Sequence, residues 1–187
     1  AIQKRIKAYF STRTERHKNV TVVLLPFTWP LNFLPKGKIY NWVSQLNHRI
    51  IGRRLNRFMA SQSINSLAYV NSFDFYFPLL PAYLNARVAT SVYHCIDPII
   101  KNFSARHGSY LELDAAMNSD AVITTAPALL TKFKSVESLE SLLVPNGVDF
   151  EHFRRPLVRI PFKSRILKDH NSKIVGYLGN IERRIDY

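Results

Sequence analysis

The chain has 187 residues, 47% of them hydrophobic and 12% aromatic, enough apolar material to exclude a globally disordered polypeptide and a length suited to one domain or slightly more. Its 26 Lys+Arg stand against 13 Asp+Glu, a net charge of +13, so an anionic partner is expected: nucleic acid, lipid headgroups or a phosphorylated metabolite. The single cysteine, Cys95, excludes an internal disulfide and any CxxC metal or redox pair.

The charge is uneven. Residues 1–60 carry 12 Lys+Arg and one acid, residues 61–150 carry 5 and 8, and residues 151–187 carry 9 and 4. A basic front and a basic end therefore bracket a near-neutral middle. Lys4, Arg5 and Lys7 are not followed by an apolar core and a small-residue cleavage site, so no secretory leader is expected. Asn19–Pro35 is uncharged but broken by Pro26 and Pro30, which argues against a membrane-spanning helix.

In chain order, Val20–Leu25 reads as a short buried strand closed by Pro26, with no strand ahead of it to begin a doubly wound sheet. An aromatic, proline-rich loop with Phe27, Trp29 and Phe33 leads to Gly37. Ile39–Ala60 is expected to be a helix. Ile39, Trp42, Val43, Leu46, Ile50, Leu55, Phe58 and Met59 mostly keep a spacing of three and four, and Arg49, Arg53, Arg54 and Arg57 fall mostly on the other side. Gly52 weakens the middle of that helix. Ser66–Val70 is a strand candidate, followed by a loop over Asn71–Tyr76 and a segment with Pro78 and Pro81.

Arg87–Tyr93 is the next strand, ending at His94-Cys95-Ile96-Asp97. Beyond Pro98, Tyr110–Met117 reads as a helix and Ala121–Thr125 as a strand, and Pro127 opens a helix through Phe133. Leu142–Val144 is a short strand that ends in Pro145-Asn146-Gly147. Residues 154–172 are charged and irregular and read as a linker, and Lys173–Leu178 is a last strand running into Gly179. Short apolar strands alternating with helices predict an α/β fold, a Rossmann-like parallel sheet with flanking helices. The last strand has nine residues after it and needs neighbours to pair with. Both ends of the chain are therefore expected to be cut.

From residue 93 onward the spaced motifs resemble the glycosyltransferases of the GT-B architecture, family-four (glycosyl transferase group 1) type. The pieces are Tyr93-His94-Cys95-Ile96-Asp97 at a strand end, Glu112 in the following helix, and Ser119-Asp120 through Thr125-Ala126-Pro127 around the next strand. Val144-Pro145-Asn146-Gly147-Val148-Asp149 with Phe153 follows, then Gly176 to Asp186 with Gly179-Asn180 and Arg183-Arg184. In such enzymes two Rossmann-like domains face each other across a cleft. The resemblance implies that residues 1–153 are part of the N-terminal, acceptor-side domain, 154–172 a linker and 173–187 the start of the donor-binding domain. It implies transfer of a sugar from a nucleotide-sugar donor to a polysaccharide, glycolipid or related acceptor in cell-surface glycan synthesis. The reaction is expected to retain configuration and to need no metal and no cofactor beyond the nucleotide-sugar as co-substrate. The chain alone is expected to be inactive, its donor domain being incomplete.

Glycosyl transfer must stabilise a departing diphosphate and position an acceptor hydroxyl. By resemblance Gly179 and Asn180 border the donor, where a loop without bulky side chains lets backbone N–H groups approach phosphate, and Arg183 and Arg184 supply cations. The loop would equally suit a tight turn with two solvated arginines. His94 and Asp97 sit where ligands gather in open α/β sheets. They are the candidate cleft and catalytic residues: an imidazole can polarise or deprotonate a hydroxyl, and a carboxylate can orient a sugar or act as base. Asp97 before Pro98 equally suits a turn. Asn146 and Gly147 are the expected hinge, with Gly147 at positive φ. Ser119-Asp120 and Thr125-Ala126-Pro127 read as caps and turns, and Glu112 as a solvated helix residue.

The basic front admits two readings. The Ile39–Ala60 helix is either a core stripe with a solvated face, or a surface that approaches an anionic membrane together with the Phe27/Trp29/Phe33 loop. In the second case Arg49, Arg53, Arg54 and Arg57 face the membrane and the acceptor is lipid-linked. The expected location is cytoplasmic, peripheral at the inner face of the cell membrane. The competing classes are a basic nucleic-acid-binding protein and a non-catalytic α/β interaction module. No zinc, RNP, KH or helix-turn-helix pattern is present in the sequence, so no nucleic acid is expected as partner.

Overall fold

The computed structural model describes residues 14–99, 106–136 and 139–155. All but the first two residues of the linker expected at 154–172, and the strand expected at Lys173–Leu178, lie outside them. The described chain opens with an antiparallel hairpin of β1 (Thr14–His17) and β2 (Val20–Val23), in which Thr14 pairs with Val23 and His17 with Val20. Lys18 makes the turn at φ 51°. One expectation is corrected here: β2 is not a buried member of the parallel sheet, and the strand that precedes it, β1, pairs with it in a separate antiparallel ribbon. Val20 and Val22 are exposed, because a two-stranded ribbon cannot cover both of its own faces. Thr-Glu-Arg-His has no apolar pattern; it is the tight connection at Lys18-Asn19 that makes it a strand.

Gly37, at φ 147°, lets the chain turn into α1 (Lys38–Ser61), a backbone angle that side chains disfavour. The buried side of α1 is formed by Tyr40, Asn47, His48, Ile51, Gly52 and Met59. Ile39 and Trp42, expected in the core, are 67% and 66% exposed. Ile39, Trp42, Leu46, Arg49, Arg53 and Arg57 follow one another at steps of three or four residues, so at 3.6 residues per turn they share one side of the helix. The expected opposition of apolar and basic faces is therefore replaced by a lengthwise division of one exposed face. Gly52 also has a cause: a Cβ there would lie 2.9 Å from both Cβ and the carbonyl oxygen of Tyr83. The missing side chain admits the 3-10 turn Leu80–Tyr83.

Four strands form a parallel sheet in chain order: β3 (Ser66–Ser72), β4 (Arg87–Cys95), β5 (Ala121–Thr124) and β6 (Ser141–Leu143). The crossovers after β4 and β5 carry α2 (Gly108–Met117) and α3 (Pro127–Lys134). Tyr93, Cys95 and Val122 of the strands pack against Ala115, Ala116, Leu129 and Phe133 of these helices. The two alanines let α2 lie close to the sheet. A second cluster of Leu31, Tyr40, Phe75 and Leu111 joins α1 to α2, with the Tyr40 and His107 rings stacked at 4.3 Å. Each large apolar side chain buried this way contributes about 1.5–3 kcal/mol. The result is an α/β architecture compatible with a Rossmann-like fold.

The chain divides into two compact units, Ala1–Gly147 and Val148–Tyr187. The second includes α4 (Phe150–Arg154), whose first turn is capped by Asp149: its Oδ1 accepts the His152 N–H at 2.9 Å.

Adding a methyl group at Gly52 should push α1 away from Tyr83. Gly52→Ala is expected to destabilise the chain by about 1–3 kcal/mol despite alanine's better helix propensity, read as a lower urea midpoint. A second outcome concerns pH. His48 Nδ1 lies 2.7 Å from Ser44 O, and Nε2 accepts the Leu79 N–H at 3.3 Å. Burial holds His48 and His107 below the ordinary value of 6.5. The unfolded chain then takes up protons first as pH falls, so their contribution is complete above about pH 6.5 and is lost below it. Urea midpoints between pH 7.5 and 5.5 should show a decline that flattens in His48→Gln.

Candidate functional site

A parallel sheet delivers the C-terminal ends of all its strands to one edge, where loops carry the chemistry. Here that edge receives Ser72 from β3, His94 from β4, Thr125 after β5 and Val144 after β6. β3 and β4 each run two residues beyond their expected ends, and the register pairs Ser72 with His94, and His94 with Ile123. Ser72 Oγ and His94 Nδ1 share a hydrogen bond of 3.2 Å. The bond engages one ring nitrogen, so a ligand at this edge would be met by Nε2. His94 is half-buried.

Asp97 is exposed, and its main chain is held from two sides. Thr125 Oγ1 donates to Ile96 O at 3.0 Å, and the sulfur of the buried Cys95 lies 3.7 Å from Asp97 O. Thr125 N–H also donates to Cys95 O at 3.3 Å, and Val144 N–H to Thr124 O at 2.9 Å. Among the described residues no hydrogen bond joins His94 to Asp97; the two are placed at one strand exit by separate ties. A hydroxyl-bearing ligand at this edge would meet an imidazole fixed by a serine and a carboxylate on an anchored loop.

Asn146 and Gly147 follow β6 in a stretch with neither a turn nor a bend. Gly147 does not take the positive φ expected of it; among described glycines only Gly37 does. No tight turn is made, so nothing demands left-handed backbone. Ser119 and Asp120 lie at the opposite end of the sheet. Asp120 Oδ2 accepts the Ser91 N–H at 2.7 Å and the Ser91 hydroxyl at 3.1 Å, and these hydrogen bonds hold its carboxyl below the ordinary carboxylate value. The pair ties β5 to β4, in keeping with a cap or turn role.

Glu112 is a correction. The residue expected to be solvated is fully buried. Its Oε1 accepts from the Tyr93 hydroxyl at 3.3 Å and the Cys95 thiol at 3.3 Å, and its Oε2 pairs with Lys132 Nζ. A buried carboxylate needs such partners. Counted from Gly108, Glu112 falls on the side of α2 that carries Leu111, Ala115 and Ala116, which turns it inward. Burial and the Glu112 carboxylate push the Cys95 thiol up to about 12. They also raise the Tyr93 hydroxyl.

Of the other expected residues, Gly179, Asn180, Arg183 and Arg184 lie outside the described residues. Arg49, Arg53 and Arg57 are exposed on α1. Arg54 is half-buried and turned toward the hairpin, where Nη2 donates to Thr14 Oγ1 at 3.4 Å. Sequence reasoning missed Ser72 and Lys132. Carrying β3 two residues further would have brought Ser72 to the same edge of the sheet, but its pairing with His94 depends on register, and Lys132 has no local signal.

Two measurements check the buried cluster. Cys95 should react with a thiol reagent at pH 8 orders of magnitude more slowly in the native chain than in urea. Glu112→Ala, which strands a thiol and a phenol without their acceptor, is expected to cost about 2–4 kcal/mol in equilibrium unfolding.

Comparison with protein-family models, with curated proteins and with solved structures returned no match.

Proposed function

We propose that the chain is the acceptor-side part of a GT-B glycosyltransferase, moving a sugar from a nucleotide-sugar donor to a polysaccharide, glycolipid or related acceptor. The observation that supports this reading most is the Ser72–His94 pair at the C-terminal edge of a parallel sheet, beside the anchored Ile96–Asp97 loop. An acceptor hydroxyl donating to His94 Nε2 would be polarised for attack, with the ring held by Ser72 Oγ. The Asp97 carboxylate would accept from a neighbouring sugar hydroxyl and fix the acceptor's orientation. The spaced motifs from Tyr93 to Asp186 support the same reading. On the donor side, the backbone at Gly179-Asn180 with Arg183 and Arg184 would meet the diphosphate charge. A basic α/β module without catalysis is the second class, but a serine-fixed imidazole at the ligand-bearing edge of the sheet favours an enzyme.

The test is sugar transfer by this chain expressed with whatever its gene encodes on either side. One nucleotide-sugar should raise the melting temperature and label an acceptor. His94→Ala should lower kcat/KM about tenfold or more while leaving the unfolding transition nearly in place. If UDP-, GDP- and other nucleotide-sugars all fail to bind, the reading is wrong.

A further inference from the structure

The exposed face of α1 is divided along its length. Its first half presents Ile39, Trp42 and Leu46, which join Phe27, Trp29 and Phe33 of the preceding loop in lining an open apolar groove of about 610 Å³. Trp29 is 55% exposed and Phe33 67%. Exposed large side chains gathered in one patch mark an interaction surface, whereas scattered ones need no explanation. The second half of the same face presents Arg49, Arg53 and Arg57, all exposed.

The patch is built rather than loose. Asn47, 1% exposed, accepts the Trp29 N–H at Oδ1 and donates Nδ2 to Trp29 O, both at 2.8 Å. Arg106 Nη1 donates to Phe33 O at 2.9 Å. These bonds secure the backbone of the loop and leave its aromatic rings outside. No described helix is long and apolar enough to cross a membrane.

The geometry points to docking of this face on an anionic lipid bilayer. The aromatic and aliphatic side chains enter the headgroup–acyl boundary while the arginine line meets lipid phosphates. Charge favours the occupant: an apolar protein partner would be met by an apolar groove alone, whereas three aligned arginines continuing the same face complement negative charge beside the apolar layer. Arg54 plays no part, because it faces the hairpin. This inference is independent of the reaction proposed above; it would stand if no sugar were transferred.

The chain's two tryptophans, Trp29 and Trp42, both lie in the patch and report on it directly. With vesicles containing 30% phosphatidylglycerol, their emission should shift to the blue and be quenched by brominated acyl chains. Vesicles of phosphatidylcholine alone should give little of either. Replacing Arg49, Arg53 and Arg57 by Glu should weaken partitioning on the order of a hundredfold, and 0.5 M NaCl should weaken it as well. Trp42→Ser, which keeps every charge, should weaken it about tenfold with Trp29 as the remaining probe. Arg87→Glu, a charge change at the start of β4, should leave it unchanged. Melting curves identify any variant that fails to fold. Equal binding to neutral vesicles, an equal loss in Arg87→Glu, or absence of quenching would overturn the proposal. So would a dimer or a nucleic-acid complex formed through this face without vesicle binding.

Discussion

The described structure rests on one constraint: irregular backbone that lies against buried elements must find hydrogen-bond partners there. Three asparagines meet it in the same way, each using one side-chain amide as a surrogate peptide group. Asn47 grips the N–H and C=O of Trp29. Asn71 accepts from the Asp74 N–H and donates to Asp74 O, at 2.8 and 3.1 Å. Asn56 donates to Tyr83 O and accepts from the Asn85 N–H, at 2.9 and 2.8 Å. His48 and His107 serve the same end from α1 and from the start of α2, reaching Leu79 N and Leu34 O. The long connections between β2 and α1 and between β3 and β4 are thereby fixed with little secondary structure of their own beyond the Leu80–Tyr83 turn. The relation also explains why α1 can carry polar residues inward and apolar ones outward.

That inversion marks where sequence reading fails on this chain. The extent of α1 is visible from its spacing, and so is each strand of the parallel sheet to within two residues. Its orientation is not, since Ile39, Trp42 and Leu46 look like a core stripe by every periodic criterion. What turns them outward is the demand of the loops for Asn47 and His48, a tertiary requirement with no local trace. Gly52 is similar: its cost to the helix can be read locally, whereas the close approach of Tyr83 that requires it cannot.

The candidate site divides along the same line. His94 and Asp97 are visible because a parallel sheet must present its strand ends, and a strand ending in His-Cys-Ile-Asp places both there. Ser72 and the Thr125 tie depend on register, which no single strand encodes. Glu112 is the reverse case. A glutamate in a helix is solvated by default, and only the joint presence of Tyr93, Cys95 and Lys132 in the fold makes burial tolerable.

The fate of the described histidines argues for where chemistry resides. His48 has one ring nitrogen against a backbone carbonyl and the other accepting a backbone N–H. His107 is placed between Leu34 O and the Tyr110 hydroxyl, both at 2.9 Å. Both rings have spent their hydrogen-bonding capacity on the scaffold and are kept neutral by burial. Cys95, with its thiol held protonated, is likewise removed from reaction. His94 differs in each respect: it stands at the ligand-bearing edge, is half-buried, and has a serine on Nδ1. A scaffold that spends its two buried imidazoles on backbone groups, while orienting this one through a side-chain hydroxyl, would leave the acid–base steps of the proposed transfer to His94 Nε2 and the Asp97 carboxylate.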